Sequence, residues 1–151
     1  MSDSYPEWYK IEEAFIQFGT SEVFTNFFDN QKREVVTICL DNHIEYYGIS
    51  QEDLETERKL YDEIMKEYGT RFWQLPRVTS RIDFMLMEEF ATKNDPELER
   101  VLLTARHPMS QFNQKVADLD LLSEWYKFKD GHYRQLLLDW ARDHGIACPD
   151  E

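Results

Sequence analysis

The stretch that most limits how this chain can fold is LLSEWYKFKDGHYRQLLLDWARDHGI, residues 121–146. Apolar residues recur in it at helical spacing, a pattern that a long helix packed along one side satisfies. On a helical wheel Leu122, Trp125, Tyr126, Tyr133, Leu136, Leu137 and Trp140 fall in one sector about 120° wide. Lys127, Arg134 and Arg142 point the other way. A stacking platform for single-stranded nucleic acid sets its aromatics beside the cations that follow the phosphates. Here the two diverge, and only Lys129 shares the aromatic sector, so the stretch reads as core. The stripe keeps its register across Asp130-Gly131. Gly131 therefore lies inside the helix on its outer face, at a cost of about 1 kcal/mol relative to alanine.

The remaining elements are shorter. Trp8, Ile11, Phe15 and Phe18 predict a helix over 7–18 that stops at Gly19. EVFTNFF and REVVTICL, rich in aromatic and β-branched residues, flank the polar DNQK and predict a hairpin. Ser50 with Asp53 forms a capping box for a helix over 51–67, whose apolar stripe is Leu54, Tyr61, Ile64, Met65 and Tyr68. FWQLP reads as an extended connector ended by Pro76. Thr79 or Ser80 caps a helix running to about Lys93, and Asp95-Pro96-Glu97 opens another that stops by His107. A short helix over about 109–117 precedes the long one, which begins near Leu121. No repeat, low-complexity segment or Gly/Ser linker interrupts the chain. The expectation is one domain over 1–151 with an α+β, predominantly helical fold: a small antiparallel β-hairpin or sheet packed against about five to six helices.

Charge sets the functional expectation. The chain has 30 acidic against 17 basic residues, a net charge of −13. Residues 1–68 hold 16 of the acids and 6 of the bases. Such a field repels phosphate backbones and anionic lipid and attracts basic protein surfaces. On the 51–67 helix Glu52, Glu55, Lys59, Asp62, Glu63 and Lys66 fall opposite the apolar stripe. Glu55–Lys59 and Asp62–Lys66 have the acid-first spacing that supports an exposed helix by a few tenths of a kcal/mol each. This face is either an acidic docking surface, carried by Glu52, Glu55, Asp62 and Glu63, or a solvated face laced with ion pairs. Glu57 falls inside the apolar stripe. It is a buried acid with a raised pKa, the mate of a basic group, or a side chain that reaches out to water.

Motifs of catalysis are missing from the sequence: there is no GxSxG elbow, Gly-rich phosphate loop, HExxH or EF-hand loop. His43, His107, His132 and His144 are dispersed, and the last two stand too far apart to chelate one metal along a helix. Cys39 and Cys148 sit in unrelated contexts, which indicates neither a disulfide framework nor a zinc set. Cys39 reads as a buried small hydrophobe and Cys148 as an exposed thiol. No metal and no cofactor are expected. With no signal-like N-terminus and no apolar run near the roughly 20 residues that span a bilayer, the expectation is a soluble cytoplasmic protein without a membrane role. The function expected is a non-catalytic interaction protein that docks on a basic protein partner, as an inhibitor, immunity-like factor or nucleic-acid mimic. Two alternatives stay open. One is an enzyme whose site is assembled only in three dimensions, using Glu57 or His132. The other is a nucleic-acid binder with a local patch from Arg71, Arg77, Arg81, Lys93, Arg100 and Arg106, against which the net charge argues.

The order of "EVFTNFFDNQKREVVTICL", "FWQLP", "IDFMLMEEFA" and the tail "LLSEWYKFKDGHYRQLLLDWARDHGI" resembles uncharacterised protein family 0158, a group of small acidic bacterial proteins. The likeness covers about residues 10–146 and rests mainly on Trp125, Phe128 and Trp140. Two departures stand out. The family's hairpin usually has a glycine before its Glu-Val, where this chain has Gln31-Lys32-Arg33. Its segment before the last helix is typically Gly- and Arg-rich with two Phe positions, whereas HPMSQFNQKV keeps Phe112 and lacks the arginines. The resemblance implies an α+β domain with a small antiparallel sheet under helices, and it implies no reaction or ligand. If the aromatic tail is core, Trp125→Ala and Trp140→Ala should each cost about 3–5 kcal/mol, measured by thermal or chemical denaturation.

Overall fold

A computed structural model describes residues 5–21, 24–39 and 51–149 of the protein. The chain divides into two compact units, residues 1–77 with 137–151, and residues 78–136. Among the described residues there are six helices and three strands. The fold is α+β and mostly helical, as expected.

In the first unit, α1 (Pro6–Phe18) opens with Pro6 in its first turn, where the missing N–H costs nothing. It buries Trp8, Ile11 and Phe15. It ends at Gly19, whose amide donates to the Phe15 carbonyl at 2.7 Å. A Cβ there would lie 2.4 Å from that carbonyl oxygen, so the stop signal is also a site of close approach. β1 (Phe24–Asp29) and β2 (Glu34–Cys39) form the expected antiparallel hairpin, in the register Phe24↔Cys39 to Asp29↔Glu34.

The segment expected as a connector is in part a third strand. β3 (Phe72–Gln74) pairs antiparallel with β1 through Phe28↔Trp73, and the sheet order is β2-β1-β3. Three residues are too short to show a period of two, so extension was legible and pairing was not. One sheet face carries Phe27, Ile38 and Phe72, which pack with Ile64 of α2 (Gln51–Lys66). The other face carries Asn26, buried and fully wired. Its amide nitrogen donates to the Ala14 carbonyl of α1 at 3.1 Å, and its amide oxygen accepts from the Thr37 hydroxyl at 2.6 Å. Ser50, the expected cap of α2, lies outside the described residues.

The second unit is helical. Thr79 caps α3 (Ser80–Asn94), accepting from the Ile82 amide. Asp95 ends α3 and caps α4 (Pro96–Thr104), accepting from the Glu97 amide at 2.8 Å. α5 spans Pro108–Asp118, and α6 spans Leu122–Asp143. Phe90, Leu98, Phe112, Val116 and Trp125 form the centre of this unit's core. Phe90, Phe112 and Trp125 lie 5.2–6.5 Å apart, ring centre to ring centre. The Tyr133 hydroxyl donates to the Asp83 carboxylate, and burial together with that bond pushes the phenol well above its ordinary pKa.

α6 corrects the expected stripe. Trp125 is buried, but Leu122 and Tyr126 are exposed, and the deeply buried residues toward its end are Leu137, Leu138 and Ala141. Trp125 belongs to the core of the helical unit, and Leu137, Leu138 and Ala141 belong to the sheet unit. A single averaged stripe hides that division. Trp140, half-buried, contacts Phe28 edge-on at 6.5 Å.

Two mutational outcomes follow from this packing. Trp125→Ala should cost about 3–5 kcal/mol and Trp140→Ala distinctly less, in place of the equal losses expected from the sequence. Gly131 sits inside α6 with nothing within 4 Å of the position a Cβ would take. Gly131→Ala should stabilise the protein by about 0.5–1 kcal/mol, seen as a melting temperature raised by a few degrees. A lowered melting temperature would show that the helix does not continue through this glycine in solution.

Candidate functional site

α2 holds to the sheet through Ile64, buried, with Leu60 and Tyr61 half-buried beside it, and Leu54 is buried as well. Met65 and Tyr68, expected in this stripe, are exposed. Tyr68 instead meets Phe27 edge-on at 6.3 Å, and its hydroxyl accepts from the Gln74 amide at 3.1 Å.

Glu52, Glu55, Asp62 and Glu63 are all exposed on the outward side of α2, with Lys59 and Lys66 exposed among them. The expected Glu55–Lys59 and Asp62–Lys66 pairs are not closed within 4 Å among the described residues. Exposed pairs of this kind contribute little, because side-chain entropy offsets most of a water-screened attraction. Among the described residues, none of the four carboxylates has a cation within 4 Å.

Glu57 accepts from the Cys39 amide at 3.0 Å and is half-buried. β2 is an edge strand, and Glu57 satisfies one of its outward N–H groups. That use explains an acid in an apolar stripe, and sequence periodicity carried no signal of it.

The most constrained charge was not anticipated. Asp29, at the end of β1, has 3% of its side chain exposed. Its carboxylate accepts from Arg71 Nε at 3.1 Å and Nη2 at 3.0 Å, and from the Gln31 and Lys32 amides at 2.9 and 3.1 Å. Burial alone raises an aspartate's pKa. Here the Arg71 bond, the two amides and the Arg71 charge outweigh burial and hold the carboxyl below its ordinary 3.8. Arg71 is raised in turn, first by the Asp29 bond, and also donates to Glu67 at 3.1 Å. Asp29 is thus a fixed acceptor rather than a proton carrier. A cleft of about 330 Å³ beside it is lined by Asp29, Lys32, Glu34, Glu63, Lys66 and Arg71, among others. Glu63 joins the outer face of α2 to this cleft.

The hairpin loop settles the departure at Gln31-Lys32-Arg33. Arg33 has φ of 58°, the left-handed region that glycine adopts without strain. Its guanidinium lies 5.1 Å over the Phe28 ring and 3.5 Å from Glu7, contacts that a glycine would lack.

The six cations of the basic alternative are mostly engaged. Arg71 is bonded as above, Arg77 donates to the Ser21 carbonyl, Lys93 pairs with Glu89 at 3.1 Å, and Arg100 with Glu97 at 2.7 Å. Arg81 and Arg106 are exposed. His132 is exposed with its ring 4.5 Å from Phe128. His144 lies 4.5 Å from Trp140 and 4.9 Å from Trp73. His43 falls outside the described residues. Cys39 is buried, Cys148 is partly exposed, and both are free thiols. Among the described residues, no helix is long and apolar enough to cross a membrane.

The family described as Uncharacterised protein family (UPF0158) matches residues 20–149. No curated protein and no solved structure matches the chain.

Asp29→Asn keeps the shape of the side chain and removes its charge. It should cost about 2–3 kcal/mol at neutral pH, below the loss for a fully buried pair because Arg71 keeps some contact with water. In the wild type this contribution is complete above pH 3.8, where the unfolded carboxyl is ionised. It fades as pH falls from there through the lower folded value. Denaturation midpoints of the two proteins should therefore converge on acidification. A gap that stays constant through that window would contradict the role given to Asp29.

Proposed function

Because the chain belongs to the family UPF0158, whose description carries no activity, we propose its function from its surface: an acidic protein that docks on a basic protein partner. The observation that carries this reading is the outward side of α2, where Glu52, Glu55, Asp62 and Glu63 are exposed and not closed into the expected ion pairs. Exposed carboxylates gathered on one helix face present a directed negative field, which speeds encounter with a positive patch. The residues from Glu52 to Glu63 span about 16 Å of helix, the width of a modest protein contact. The net charge of −13 supports the same choice of partner. Two free cysteines fit a reducing compartment, so the proposal places the protein in the cytoplasm.

A nucleic-acid role is disfavoured because phosphate binding needs uncommitted cations, and four of the six candidates already have acceptors. A catalytic role for Glu57 is disfavoured because its carboxylate is committed to the Cys39 amide.

The test compares wild type with Glu52→Gln, Glu55→Gln, Asp62→Asn and Glu63→Gln combined. Folding stability should change little, by about 0.5 kcal/mol or less per site. Basic proteins captured from extract at low salt should be retained by wild type and lost at high salt or with the variant. With a purified captured partner, the deficit should lie in the association rate and shrink as salt rises. Equal capture and equal association rates for both proteins at low salt would overturn the proposal.

A further inference from the structure

α3 and α4 meet at Asp95, and the turn leaves a second surface in the helical unit. Phe84, Glu88 and Thr92 of α3, with Glu99, Leu102 and Leu103 of α4, enclose a groove of about 200 Å³. Phe84 and Leu102 are half-buried, and Leu103 is 85% exposed. A leucine held that far into water contributes little to this unit's core, and its burial by a ligand is favourable.

The charges around the groove separate into two sets. Glu89 is neutralised by Lys93, and Glu97 by Arg100 and Lys115. Glu88 and Glu99, which line the groove, have no cation within 4 Å among the described residues. Glu88 and Glu99 are thus beside the exposed apolar surface of this helix pair.

We propose that this groove seats a basic amphipathic segment of a partner protein. An apolar side chain of the segment lies between Phe84 and Leu103, and lysines or arginines on either side of it reach Glu88 and Glu99. Charge selects this occupant over the others. A second copy of the chain brings a further net charge of −13 to an acidic rim, and anionic lipid brings like charge as well. The groove shares no residue with the face of α2, so it stands or falls separately from the docking reading above.

The probe is a short amphipathic helical peptide of leucine and lysine, titrated against the full chain by calorimetry. Its controls are a lysine peptide without leucine and a leucine–glutamate peptide. The leucine–lysine peptide should bind roughly tenfold more tightly than either control, since the groove combines apolar and charged contacts. Leu103→Ser, at a site too exposed to unsettle the fold, and Glu88→Gln with Glu99→Gln should each weaken that binding about fivefold. The quadruple change on α2 should leave this added affinity of the leucine–lysine peptide over the lysine peptide in place. Equal binding of the lysine peptide would mean unspecific charge attraction, and equal binding of the leucine–glutamate peptide would mean apolar stickiness alone. Either result overturns the proposal, as would affinity insensitive to Leu103→Ser. Concentration-dependent dimerisation abolished by Leu103→Ser would show that a second copy covers the groove, and would overturn it too.

Discussion

The sheet unit depends on one buried carboxylate. Asp29 ends β1, shapes the hairpin loop through two amides, and receives both forks of Arg71 just before β3. Its backbone carbonyl also accepts from Arg33, and the Arg71 carbonyl accepts from Asn30. One charge thus fixes the loop between β1 and β2 and brings the start of β3 to the sheet. Without an opposite charge and the loop amides, a carboxylate this deep would be unstable when ionised. With them, it locks three chain segments at one corner, and α2 packs over the sheet face that corner completes.

Elements with strong local signals were legible in the sequence. Thr79 and Asp95 cap helices as their positions required, since a side-chain oxygen beside free amides is a local fact. The hairpin was legible for the same reason, from β-branched and aromatic runs around a polar turn. What stayed hidden depends on residues far apart in the chain. The Asp29–Arg71 pair crosses 42 residues, and the use of Glu57 at the edge of β2 crosses 18. Neither has a period or a motif. The tail misled in part because its residues divide between two units at Leu137, and one averaged stripe takes in the exposed Tyr126 and leaves out the buried Leu138.

The candidate docking residues were legible because amphipathicity places acids on the outward side of a helix once its inward side is known. Their state of pairing was not. The spacing of Glu55–Lys59 and Asp62–Lys66 permits ion pairs, but solvent screening and side-chain entropy decide whether they close. That distinction separates a solvated scaffold helix from a face with charge left to offer. The same contrast recurs on α3 and α4, where Glu89 and Glu97 are neutralised and, among the described residues, Glu88 and Glu99 are not.

Zero-length carbodiimide cross-linking of the protein to its captured basic partner tests the central claim most directly, because it joins only carboxylates and amines already in contact. Mass spectrometry of the cross-linked peptides should place partner lysines on Glu52, Glu55, Asp62 or Glu63, with yields that fall as salt is raised before coupling. Cross-links confined to other carboxylates of the chain, with these four unmodified by the partner, would contradict the proposal that α2 is the docking face.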